Sequence, residues 1–261
     1  MFSTIFPPLT IPVTDWAGKR VWLIGGSSGI GAALAKAFLA HGASVALSAR
    51  RVWELEQVAD THPNAMVLPF DVIDTQGWLD AQSKILTQWG GIDLVMFCAA
   101  NYKPERTWEI QSADVARTLK INLNSVYEGL CSVLPDMLQQ GSGSIAIIAS
   151  VAGYVGLPNA SVYGPSKAAL INLAEILYSD LHEKNINVYL VNPGFVKTTL
   201  TEKNSFFMPA LQTPEQAAAA ILKGMQKGQF EIHFPRRFTN ILKLLQMMPY
   251  RWRFALFERF L

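Results

Sequence analysis

The chain has 261 residues, half of them apolar and 16% charged, with a formal net charge of +2. That length and composition fit one large α/β domain, or at most two small ones, with ample material for a core. The near-neutral balance gives no global attraction to nucleic acid. Two cysteines, Cys98 and Cys131, are too few for a disulfide framework.

Residues 1–13 carry Pro7, Pro8 and Pro12, with no basic region and no long apolar run. They make a poor secretory signal. No stretch holds the roughly 18 uninterrupted apolar residues of a spanning helix. Together these features predict a cytoplasmic protein. The charge is uneven, however. Residues 236–261 contain six basic residues (Arg236, Arg237, Lys243, Arg251, Arg253 and Arg259) and one acid, Glu258, while the remainder is net acidic.

In chain order, an apolar strand is predicted over 21–25, then a glycine turn and a helix over 32–40. A second strand follows over 44–49, a helix over 52–59, a third strand over 65–70 and a helix over 75–89. The fourth strand is read at 92–99. A long helix is read over 113–139, ended by Gly141 and Gly143. The fifth strand spans 144–150, a helix 162–184 and the sixth strand 187–191. Thr213-Pro214-Glu215 opens another helix, and 229–234 is the seventh strand. Near-continuous apolar strands alternating with helices predict a parallel sheet covered on both faces. Right-handed crossovers make it doubly wound, with ligands bound beyond the carboxyl ends of the strands.

The first strand runs into Gly25-Gly26-Ser27-Ser28-Gly29-Ile30-Gly31. Gly25, Gly29 and Gly31 allow a tight turn, close approach of a pyrophosphate and close helix packing. The following helix N-terminus offers free N–H groups to phosphate. No Gly-Lys-Ser/Thr follows, which disfavours a nucleotidase P-loop. The second strand ends Ser48-Ala49-Arg50-Arg51. A site for NAD usually has a carboxylate here for the ribose 2′-hydroxyl. Its absence, with Arg50 available to pair a 2′-phosphate, favours NADP(H). The alternative is that both arginines form a solvated helix start.

Tyr163 and Lys167 stand four apart at a helix start and so share a face. A phenol has a pKa of ~10, and a neighbouring ammonium lowers it. Tyr-x-x-x-Lys alone is common by chance. Here it follows a strand ending in Ser150, whose hydroxyl can donate to the carbonyl oxygen that Tyr163 protonates.

In combination these motifs resemble the short-chain dehydrogenase/reductase family, over residues 18–235. The resemblance implies a single Rossmann-type α/β domain over 1–235, with about seven parallel strands, and a helical tail over 236–261. It implies cofactor contacts from Gly25, Ser27, Ser28, Gly29, Ile30, Gly31, Arg50, Arg51, Ala99, Tyr163 and Lys167. Asp71-Val72 matches the pair beside the adenine. In the loop after the sixth strand, Pro193, Gly194, Val196 and Thr198 match the groups that hold the carboxamide and phosphate. Asn122 matches the asparagine that holds a proton-relay water near the lysine. With Ser150, Tyr163 and Lys167 it completes the implied catalytic set. No metal is implied. Relatives are often homodimers or homotetramers, which is analogy only. The alternative class is a silent NADP-binding protein, but such proteins tend to lose Tyr, Lys or Ser.

Two positions depart from the family pattern. Ile24 replaces the usual Thr, and Phe97-Cys98-Ala99-Ala100 replaces Asn-Asn-Ala-Gly. The expectation is that Ile24, Phe97 and Cys98 form an apolar contact in place of polar ones. Residues 199–211 fall where the family has its variable substrate lid. Phe206, Phe207 and Met208 on one side, with Tyr154 and Val155 on the other, predict a hydrophobic ketone or alcohol as substrate. The alternative is that they only seal the pocket. The tail has a helical stretch over 238–248, stopped by Pro249, then an aromatic and arginine-rich end. One reading is peripheral contact with an anionic membrane. The other is a helix over the pocket or at a subunit interface, with its arginines toward water.

Overall fold

In a computed structural model the structure describes residues 7–260. The reading of residues 1–6 as no signal, and Leu261 of the tail, lie outside the described residues. Seven strands form one parallel sheet: β1 (Arg20–Ile24), β2 (Ser44–Ser48), β3 (Ala65–Val67), β4 (Leu94–Phe97), β5 (Gly143–Ile148), β6 (Ile186–Pro193) and β7 (Glu231–Phe234). Their order is β3-β2-β1-β4-β5-β6-β7. The chain runs outward from β1 to β3, then returns to place β4 on the other side of β1. Beyond the carboxyl ends of β1 and β4 the crossovers diverge and leave a crevice.

Buried apolar side chains pack both faces. One face carries α1 (Gly29–Ala40), α2 (Val52–Ala59) and α7 (Pro214–Gln226), over Leu23, Phe38, Leu47 and Ile221. The other carries α3 (Thr75–Trp89), α5 (Ser125–Gln140) and α6 (Tyr163–Leu181), over Trp22, Trp78, Val95 and Leu170. Thr213 caps α7, accepting from the Gln216 N–H at 3.2 Å while the Gln216 side chain accepts from the Thr213 N–H. This reciprocal cap, with Pro214 as first helical residue, explains why the helix opens where the sequence indicates.

Several elements differ from the sequence reading. β3 is shorter, although backbone bonds continue from Leu68 to Leu47 and from Phe70 to Ala49. The helix expected over 113–139 is two helices, α4 (Ser112–Leu119) and α5, joined by a π-helical stretch at Lys120–Asn124. Such stretches accumulate at functional sites. Ile24 and Phe97 pair across β1 and β4 and share one core face, but Cys98 packs on the opposite face. Consecutive strand residues point to opposite faces, so the expected three-residue contact reduces to two.

The tail forms α8 (Arg236–Met247) and α9 (Tyr250–Phe260). Phe238, Leu242 and Leu245 of α8 pack on Val151, Tyr154 and Val155, with Phe257 of α9 joining them.

Candidate active site

The site is built on strand ends and helix starts beyond the carboxyl edge of the sheet. The chain leaves β1 at Gly25, whose φ is +90°. A Cβ there would stand 2.6 Å from the Ala99 nitrogen, so only glycine fits between β1 and the turn after β4. A Cβ at Gly31 would stand 2.3 Å from the Gly25 carbonyl oxygen, and one at Gly29 2.8 Å from Thr198 Cγ2. The glycine loop and the loop after β6 therefore touch. Ser28 makes no side-chain cap on α1, and the first turn of α1 holds no acid. The N–H groups of that turn suit a diphosphate, so the cradle fits a dinucleotide.

Arg51, more than Arg50, closes over this loop. Its guanidinium donates to Ser27 Oγ at 3.1 Å and Ser28 Oγ at 3.0 Å. Arg50 lies 3.8 Å from the Asp71 carboxylate. Val72 is buried beside it, and its carbonyl accepts from the Trp78 indole. Ile30 packs partly buried on the core below the loop. On the far side, Gly194 N–H donates to the Phe234 carbonyl, and Val196 is buried and bridged to Gln212. Pro193 ends β6 in register with Phe234. The Thr198 N–H donates to Thr201 Oγ1 at 2.9 Å.

Tyr163 is the first residue of α6, and Lys167 lies one turn on, its ammonium 5.5 Å from the centre of the tyrosine ring. Lys167 is only 2% exposed, and its Nζ donates to the Ile148 carbonyl at 2.8 Å. Burial lowers its pKa to about 8, opposed by the Cys98 thiol. Burial pushes the Tyr163 phenol up to about 12, opposed by a hydrogen bond with Ser150. Lys167 is not among the groups that move the phenol, and burial sets the direction. A phenol held so high stays protonated at neutral pH. Ser150 Oγ also accepts from the Ala152 N–H, which fixes it at the end of β5.

Asn122 lies in the π-helical stretch and is fully buried. Its Oδ1 accepts from the Asn101 N–H at 2.6 Å, and its Nδ2 donates to the Asn101 carbonyl and to Ser166 Oγ. Both amide protons serve protein partners. The side chain ties α6 beside Lys167 to the turn after β4.

Sequence reasoning missed Tyr102. Its ring meets the Tyr163 ring edge-on at 4.9 Å, and its hydroxyl donates to Asn204 Oδ1 at 2.7 Å. Lys203 Nζ donates back to the Tyr102 carbonyl. Tyr102 thus joins Tyr163 to the segment around Asn204; it lies five residues beyond the end of β4, where no sequence pattern marks it. The residues expected on the substrate side lie in different surroundings. Phe206 stands on Phe195, and Met208 sulfur accepts from Asn204, but Phe207 is 87% exposed. Tyr154 and Val155 are buried under α8, and the Tyr154 hydroxyl donates to Glu231. That corrects their expected place on the cleft wall: the tail claims them.

Comparison with known proteins agrees with this geometry. Residues 19–207 match the family described as short chain dehydrogenase. An uncharacterized oxidoreductase of Myxococcus xanthus is 29% identical over 241 residues, covering 91% of this chain and 95% of that one. A 3-oxoacyl-(acyl-carrier-protein) reductase of Chlamydia muridarum is 28% identical, covering 78% of this chain and 88% of its own. A short chain dehydrogenase/reductase of Burkholderia phymatum, solved with NAD, superposes with a TM-score of 0.81 at 22% identity, covering 89% of this chain and 94% of that one. With a matching sheet, a glycine cradle and a Ser-Tyr-Lys cluster at its mouth, the chain belongs to the short-chain dehydrogenase/reductase family. It is a nicotinamide-dependent oxidoreductase acting between CH–OH and C=O.

Proposed function

We propose that the protein interconverts a hydrophobic ketone and its secondary alcohol with NADP(H), using Tyr163 as the proton carrier. The observation that carries this reading is the meeting of Ser150, Tyr163 and Lys167 beside the glycine cradle. The glycine cradle at Gly25, Gly29 and Gly31 would hold the dinucleotide, which in its reduced form would supply a hydride to the carbonyl carbon. Ser150 and Tyr163 donate hydrogen bonds to the carbonyl oxygen, and Tyr163 releases its proton to that oxygen as charge develops there. Lys167, charged below pH 8, then supports reprotonation of the phenol. Oxidation reverses these roles.

The NADP preference rests on two arginines after β2 and no acid at its end. Arg51 already reaches two serines of the phosphate loop, where a 2′-phosphate would add charge-assisted bonds. The apolar lid residues Phe206 and Met208 support a hydrophobic substrate. The family resemblance implies a homodimer or homotetramer, and the cysteine count and composition favour the cytoplasm. The test is a panel of aliphatic, cyclic and acyl-chain ketones assayed with NADPH and with NADH. Turnover of apolar ketones with a preference for NADPH is expected. Turnover with NADH alone overturns the cofactor assignment, and turnover confined to polar ketones overturns the substrate class.

A further inference from the structure

Helix α8 is apolar on two sides. Phe238, Leu242 and Leu245 face the protein. Ile241, Leu244 and Met247 follow one another at three-residue spacing on the other side and are 58%, 63% and 83% exposed. Scattered exposed leucines are ordinary, but an exposed apolar row on a helix whose remaining surface carries Arg236, Arg237, Asn240 and Gln246 makes the basic amphipathic pattern of an interfacial element. In α9, Tyr250, Trp252 and Phe254 are also more than half exposed. Arg236, Arg237 and Arg251 are exposed among them, and Glu258 is the only acid in residues 236–261.

We infer that the outer faces of α8 and α9 dock the protein on an anionic lipid surface. Charge complementarity selects this occupant. A second copy would set the same cationic face against itself, whereas phospholipid headgroups neutralise the arginines while Trp252, Tyr250 and Leu244 enter the headgroup boundary. Among the described residues no helix is long and apolar enough to cross a membrane. The contact is therefore with the surface.

The same helix reaches the lid. Phe238 of α8 meets Phe195 at 5.6 Å, and Phe195 meets Phe206 at 5.9 Å. Phe207 beside it is exposed. Phe238 is on the inner face, so docking through the outer face of α8 leaves the lid one helix diameter, roughly 10 Å, from the lipid, near enough to receive an apolar substrate that leaves the bilayer, a consequence that rests on the function proposed above.

The test is cosedimentation of the full chain with phosphatidylcholine vesicles, with and without phosphatidylglycerol. Binding to the anionic vesicles only is expected, and it weakens as salt is added. Leu244→Gln with Trp252→Gln should lower binding about tenfold, with melting temperature and NADPH affinity unchanged. A folded full chain that ignores anionic vesicles, or binding that ignores the double variant, overturns the inference. So does a wild-type dimer in sedimentation equilibrium that the double variant dissolves, which would assign the face to a second copy. Turnover of a water-soluble ketone reads the proposed function separately, since it needs no lipid.

Discussion

Gly25 and Ala99 meet so closely that a Cβ on the glycine would stand 2.6 Å from the alanine's backbone nitrogen. The contact is backbone against backbone, so no side chain can move aside. Gly25 also has a φ of +90°. Gly25→Ala is expected to destabilise the fold by about 3 kcal/mol or more, from strain and overpacking together. Gly18 supplies the control, with a φ of +69° and open space around it. Gly18→Ala should cost only about 1–2 kcal/mol, the strain alone. Thermal melts of the two variants check the difference.

The pH dependence of ketone reduction should follow Lys167. Its buried ammonium loses its proton as pH rises through about 8, while the phenol of Tyr163, held up near 12, stays protonated over that range. The rate should therefore be level below pH 8 and fall above it. Lys167→Arg keeps a positive charge at every accessible pH. It should remove the falling limb, whatever its absolute rate. A pH–rate profile of both proteins reads this directly.

Arg51 bridges Ser27 and Ser28, and it also pairs with Glu54 at 3.3 Å. Arg51→Ala should raise the KM for NADPH by ~10-fold or more, with little effect on the KM for NADH. Steady-state kinetics with both cofactors check it, and equal losses for the two would mean that the arginine only shapes the loop.

Glu231 holds the tail to the sheet. Burial pulls its pKa up, but hydrogen bonds from Lys243, Tyr154 and Asn192 outweigh this and hold it below the usual carboxylate value. A carboxyl with a lowered folded pKa adds stability above its unfolded pKa and loses it as pH falls through the folded value. Glu231→Gln should cost roughly 1–3 kcal/mol at pH 7, and the difference from wild type should shrink below pH 4. Melting curves across pH measure it.

The glycine loop and the Tyr163–Lys167 pair were legible because both signals are local. One is a backbone demand and the other a helical spacing. The parallel, doubly wound sheet followed from alternation and the handedness rule. What escaped was made by distant partners. The π-helical stretch at Lys120–Asn124 lies in an unbroken helical pattern, and its buried Asn122 is held by Asn101, far off in sequence. Tyr154 read as a cleft residue because its partners Glu231 and Lys243 lie in later elements. Cys98 was misassigned although strand alternation alone places it opposite Phe97. For the tail, the sequence could not choose between packing and exposure, and the structure has both in the two sides of α8.

The most direct test uses NADPH deuterated at the transferring position of the nicotinamide, an apolar ketone, and two proteins, wild type and Tyr163→Phe. The account predicts deuterium on the carbinol carbon with wild type, and a rate reduced ~10²–10⁴-fold in the variant with NADPH affinity nearly unchanged. Deuterium transfer by the variant at the wild-type rate would contradict it.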